Sequence, residues 1–232
     1  MSRQSTSSAD LVPPASPERA GSGRVTTVAV AMVLGVLAKT AFLVWHAPYD
    51  KDEVVPYDKV LEVRDAWWFS HYLGGPAMGL GFVVFGLGAA MLLRRGPGSR
   101  LAAVGAAFNF VGGIGAAAGL AAEGATYHYA TNTAAVPESA GAPLLHYMFT
   151  HSTHINLLLL IGLAAMAVGS ILIGVGLWRA HAVPVWVPLA LIVGTLGTVA
   201  TSHTITWLAS LPATVAIIAI AFYLWRSPRA DG

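Results

Sequence analysis

LLLLIGLAAMAVGSILIGVGL, residues Leu157 to Leu177, runs for 21 positions without a charged side chain. That length and polarity match the roughly 20 residues with which an α-helix crosses a hydrocarbon core about 30 Å thick. The run ends at Trp178 and Arg179. The segment before it, PLLHYMFTHSTHIN at Pro143–Asn156, sets His146, His151 and His154 at its mouth. This stretch therefore reads as a membrane-spanning helix with a polar, imidazole-rich entrance.

Similar runs lie on both sides of it. The pattern predicts an all-α bundle of six transmembrane helices at about 25–45, 72–93, 101–122, 155–178, 184–202 and 205–225. The composition agrees: of 232 residues, 56% are hydrophobic and only 10% are charged, whereas soluble domains carry about a quarter charged residues. So many long apolar runs do not fit the buried core helices of a soluble protein. The chain has no cysteine, which excludes disulfides, thiolate metal sites and cysteine nucleophiles. Its net charge of +2 comes from arginines flanking apolar runs. No dense basic stripe interleaved with aromatics is present, so nucleic acid is not an expected partner.

Residues 1–24 are rich in Ser, Pro and Gly and read as a disordered tail, because they bury too little surface to offset their ordering entropy. The run Val25–Trp45 is longer than the 7–15 residue apolar core of a signal peptide, so it reads as a true first helix. It contains Lys39, an intramembrane charge and thus a functional candidate. Its long stem could also snorkel to the nearer interface. On that second reading, Lys39→Met is expected to be neutral.

The loop at 46–71 carries Val60, Leu61, Val63, Ala66, Trp67 and Trp68 at helical spacing beside Asp58, Glu62 and Arg64. This predicts a short helix lying in the interface, with the tryptophans in the aromatic belt. Asp50, Asp52 and Glu53 lack the spaced oxygens and glycine of a calcium loop, and read as a solvated acidic turn. The second and third helices are dense in glycine. Gly75/Gly79 and Gly115/Gly119 fit the small-xxx-small spacing that lets helices approach closely in lipid. Phe82–Gly88 echoes Ser170–Gly176, a short apolar match that fits a duplicated hairpin or convergent packing equally. Pro212 predicts a kink in the last helix.

With six helices and the N-terminus inside, one side receives nine arginines: Arg3, Arg19, Arg24, Arg94, Arg95, Arg100, Arg179, Arg226 and Arg229. The other receives Lys51, Lys59 and Arg64. Nine against three predicts both termini cytoplasmic, in the plasma membrane if the chain is prokaryotic. His46, His71, His128, His146, His151, His154 and His203 then fall at outer helix ends, with His181 inside.

The chemistry is expected at those outer mouths. Imidazole and carboxylate without thiolate suit catalytic zinc, iron or copper sites with an open position. His151 and His154, at i and i+3, are expected on one helix face. With His71 and His203 they form the candidate metal ligands, with Glu123 and His128 as candidate acid–base residues. Bis-histidine haem ranks below a non-haem metal, because its ligands should lie deeper. No phosphate-binding glycine loop or GxSxG elbow occurs. The first functional reading is a metal-dependent membrane enzyme that acts on a lipid-like substrate among membrane lipids. The second is a small transporter or accessory subunit whose pocket binds a ligand or relays protons. Lys39 favours the second if it faces the bundle.

Overall fold

The computed structural model of the chain describes residues 17–45, 55–201 and 203–227. The side chains of residues 17–22, 45, 154, 155, 203 and 204 also lie outside the description. Of the tail expected at residues 1–24, residues 1–16 fall outside the described residues, as does the acidic turn at Asp50, Asp52 and Glu53; residues 17–24 are instead the first two turns of α1. The described residues form eight α-helices, in order: α1 Pro17–Trp45, α2 Tyr57–Trp68, α3 Gly74–Leu92, α4 Ser99–Ala130, α5 Glu138–Thr150, α6 Ser152–Ala180, α7 Trp186–Ala200 and α8 His203–Arg226. No strand occurs among the described residues.

Among the described residues, five helical stretches are long and apolar enough to cross a membrane: Gly23–Val44, Tyr57–Leu92, Ser99–Ala130, Asn156–Ala180 and Ile205–Arg226. α7 has 15 residues, about 22 Å at 1.5 Å per residue, which is short of a full crossing on its own. The chain is therefore a multi-pass membrane protein by the length and polarity of its helices.

The structure departs from the sequence reading at the end of the bundle that carries His71. The helix expected in the interface is joined end to end with α3. α2, a π-helical turn at Phe69–Leu73 and α3 make one 36-residue stretch, about 54 Å long. Pro76 accounts for the widened turn. Its ring crowds the carbonyl four residues earlier, at Tyr72, and it offers no N–H in return. α4 likewise runs on to Ala130, past the expected stop at Ala122. The loop expected at Glu123–Pro143 therefore contains the last turns of α4 and the start of α5. Its apolar side chains explain this: Val60, Trp67, Tyr127, Leu145 and Met148 pack on one another as a small second core, so α2, the end of α4 and α5 form a cap on the bundle. Trp67 is buried there rather than in an aromatic belt.

The opposite end carries Arg94, Arg95, Arg100, Arg179 and Arg226. The α3–α4 turn there passes through Gly96 at φ 129°, a conformation that L side chains avoid. α6 stops at His181 in the left-handed region. The core at this end is Met32, Phe85, Leu93, Ile173, Leu191 and Leu224, among others.

Between the ends, glycine sets the helix spacing. α4 packs most extensively against α6 and then α3. A Cβ on Gly105 would lie 2.6 Å from the carbonyl oxygen of Gly169, and one on Gly112 2.7 Å from that of Gly162. Gly98 meets Gly176 in the same way. These pairs step by seven residues up α4 and down α6, the register of two antiparallel helices in close contact. Gly75 and Gly79 both face α4, and Gly115 and Gly119 both face α6, in keeping with their spacing. The two halves of the sequence echo meet different partners: Gly88 packs on Met32 of α1, and Gly176 on α4.

Candidate functional site

Where α1, α3 and α4 meet beneath the cap, two titratable side chains face each other inside the protein. His71 lies in the π-helical turn and is 1% exposed; Glu123 lies on α4 and is 5% exposed. Nε2 of His71 is 3.9 Å from Oε2 of Glu123. That is ion-pair range but too long for a direct hydrogen bond.

The imidazole is held firmly. Its Nδ1 lies 3.0 Å from the Trp67 carbonyl oxygen and 3.0 Å from Ser70 Oγ, whose hydroxyl also donates to the Trp67 carbonyl at 3.0 Å. A carbonyl only accepts, so the network assigns the proton to Nδ1 and turns Nε2 toward the carboxylate. The Trp67 indole stacks on the imidazole at 4.5 Å and 4°, as residues i and i+4 of a helix can. Phe42 of α1 closes the other side edge-on at 5.7 Å. Gly124 is required here, since a Cβ would lie 2.6 Å from that of His71. Tyr127 packs edge-on against Trp67 at 5.1 Å and tilts against Phe149 at 5.4 Å, closing the pocket from the cap side.

Lys39 is one helical turn from Phe42 on α1, away from the cap. It is 5% exposed, so its stem does not snorkel to the surface. The ammonium lies 5.9 Å from the centre of the Phe82 ring of α3. Next to it, the Thr40 hydroxyl donates to the Val36 carbonyl at 2.8 Å and lies 3.3 Å from the Thr214 hydroxyl of α8. The apolar stretch of α1 at residues 25–44 thus turns its one charge into the bundle.

The other expected residues whose side chains are described lie apart from this pair. His128 shares α4 with Glu123, but five residues rotate it about 140° around the axis. Its ring lies 5.8 Å from both Trp68 and Tyr129, and its Nδ1 is buried with no hydrogen-bond partner among the described residues. His151 does not share a helix face with His154 as expected; it is the junction residue between α5 and α6, at φ −120° and ψ 31°. Its ring is exposed, stacked on Tyr147 at 4.1 Å, with Nδ1 3.0 Å from the Tyr147 carbonyl. The side chains of His154 and His203 lie outside the description. Among the described residues, no group of three or more His, Asp or Glu is placed to hold a metal ion.

Trp67, Ser70 and Phe42 were not anticipated as parts of a site. Trp67 and His71 stand at i and i+4, but that signal speaks only once one helix is known to carry both. Comparison with protein-family models, curated proteins and solved structures finds no match to this chain, so its function has to be argued from this pocket.

Proposed function

We propose that the chain is a small transporter or accessory membrane subunit whose His71–Glu123 pocket, with Lys39 beyond it, takes up and passes protons. One observation carries this reading: three titratable side chains on three different helices are all buried within the bundle. Ionisable groups inside a membrane segment are expensive and persist where they face a partner or a conducted ion. His71 can accept a proton at Nε2 and hand it to Glu123, with Nδ1 anchored throughout. In this reading α7 completes a sixth span with the turn that follows it, and the arginine-rich end, with both termini, is cytoplasmic.

The test is proton flux. Purified protein in liposomes loaded with a pH-sensitive dye, under a potassium–valinomycin potential, should acidify the lumen faster than empty liposomes. Glu123→Gln should remove that excess. Equal rates with and without the wild-type protein would overturn the proposal.

A metal-dependent enzyme for a lipid-like substrate is the second reading, and the anchoring of His71 favours it. A metal-binding imidazole commonly donates its other N–H to a backbone carbonyl and presents the free nitrogen to the ion. Zinc, iron or copper would there take His71 and Glu123, completed by His154 and His203. Stoichiometric metal in the purified protein, lost in His154→Ala, would carry this reading in place of the first.

A further inference from the structure

We propose that the niche around Lys39 binds a small monovalent inorganic anion. The ion pairs among the described residues are Lys59–Glu62, Arg64–Asp65 and His71–Glu123. Lys39 is in none of them. Glu123, the buried carboxylate, is turned to His71, and the Thr40 hydroxyl proton is committed to the Val36 carbonyl. The ammonium is left with the face of Phe82, which returns only part of what a charge loses on leaving water.

Beside it lies a cavity of about 10 Å³, near the minimum that holds one water-sized occupant. Gly35, Val36, Gly81, Phe82, Phe85 and Ile217 bound it together with Lys39. It stays small because α1 and α3 nearly touch: a Cβ on Gly35 would lie 2.5 Å from the Cα of Gly81. The niche therefore combines one buried cation, three N–H donors and otherwise apolar walls around a single small space.

Those properties select the ligand. A water molecule would fill the space without balancing the charge. A divalent anion would lose more hydration than one ammonium restores. Fluoride is water-sized, and the larger chloride would need Phe82 and Phe85 to move apart. The site stands independently of the proton reading. If both hold, a proton at His71–Glu123 and an anion at Lys39 would balance each other in charge.

The experiment is thermal unfolding of the purified protein in sodium fluoride, chloride, gluconate and sulfate at matched ionic strength. A ligand that binds only the folded state raises the midpoint, and the rise follows a saturation curve; general salt exclusion grows steadily with concentration instead. Fluoride or chloride should give the saturable rise, and gluconate and sulfate should not. Lys39→Met should abolish it. Val36→Ile, which adds one methylene to the cavity wall and keeps the ammonium, should weaken it and serves if Lys39→Met fails to fold. Glu123→Gln should keep the rise while losing proton flux, which separates the two proposals. Identical midpoints of the wild type in all four salts, or a full rise in Lys39→Met, would overturn the site.

Discussion

Lys39 shows how far one residue can be read without its neighbours. Sequence alone gives its depth in the first helix, and from depth alone snorkelling is the economical reading. Direction is set by the packing of α1 on α3 and α8, which one helix cannot reveal. Because the side chain is 5% exposed and faces Phe82, the expected outcome of Lys39→Met changes from neutral to loss of function with the fold intact. Removing an unpaired ammonium should leave the unfolding midpoint in gluconate unchanged or higher, while proton flux disappears. Unaltered flux would return Lys39 to a passive role. His71 and Glu123 were legible as candidates because each stands at a helix end, but their pairing was not. It depends on the π-helical turn before Pro76, which puts His71 toward α4. The anchoring of His71 also makes Ser70 testable. Ser70→Ala removes one of two side-chain donors to the Trp67 carbonyl and leaves the imidazole N–H in place, so it should cost about 1 kcal/mol of stability or less. His71→Ala, which also empties a stacked, fully buried site, should cost about 2–4 kcal/mol by comparison with other large-to-small core changes. Chemical denaturation in mixed micelles would rank the two, and equal costs would mean the stack contributes little.

At the scale of elements, glycine spacing was the most legible signal and still only half read. Gly75 and Gly79 could be assigned to a helix contact from their separation by four. The seven-residue register that pairs Gly98, Gly105 and Gly112 with Gly176, Gly169 and Gly162 emerges only when α4 and α6 are laid antiparallel. Neither helix announces its partner. The contacts rank the glycines sharply. A methyl group on Gly79 would run into the Gly113 carbonyl oxygen and lie 2.9 Å from the Ala117 side chain, whereas one on Gly115 would come no nearer than 3.3 Å to the Leu158 carbonyl. Gly79→Ala should therefore force α3 and α4 apart and destabilise the bundle by about 1–3 kcal/mol, as overpacking does. Gly115→Ala should fall well below that and could gain from its better helix propensity. Thermal unfolding of the two variants side by side decides it, and a Gly79→Ala protein as stable as Gly115→Ala would mean that the α3–α4 contact is loose.

For the whole molecule, the arginine asymmetry and the helix packing bear on the same question from different directions. Read as six spans, the sequence would place nine arginines on one side and three basic residues on the other, a strong positive-inside signal. Packing brings Arg94, Arg95 and Arg100 of the α3–α4 region, Arg179 at the end of α6 and Arg226 at the end of α8 to the end of the bundle away from the cap. If that end is cytoplasmic, the cap of α2, the end of α4 and α5 faces outward, and the buried His71–Glu123 pair lies beneath it on the outer side. The parent chain has no cysteine, so single cysteines report cleanly. Ser139 lies in the first turn of α5 in the cap, and Ser99 begins α4 at the arginine end. In intact cells or right-side-out vesicles, a membrane-impermeant maleimide should label Ser139→Cys and leave Ser99→Cys unlabelled until the membrane is opened. The reverse pattern would invert the molecule and turn the pocket toward the cytoplasm. Labelling of both from one side would show that an even number of crossings separates Ser99 from Ser139. That result would contradict the packing, because Ser99 and Ser139 lie near opposite ends of the same antiparallel bundle.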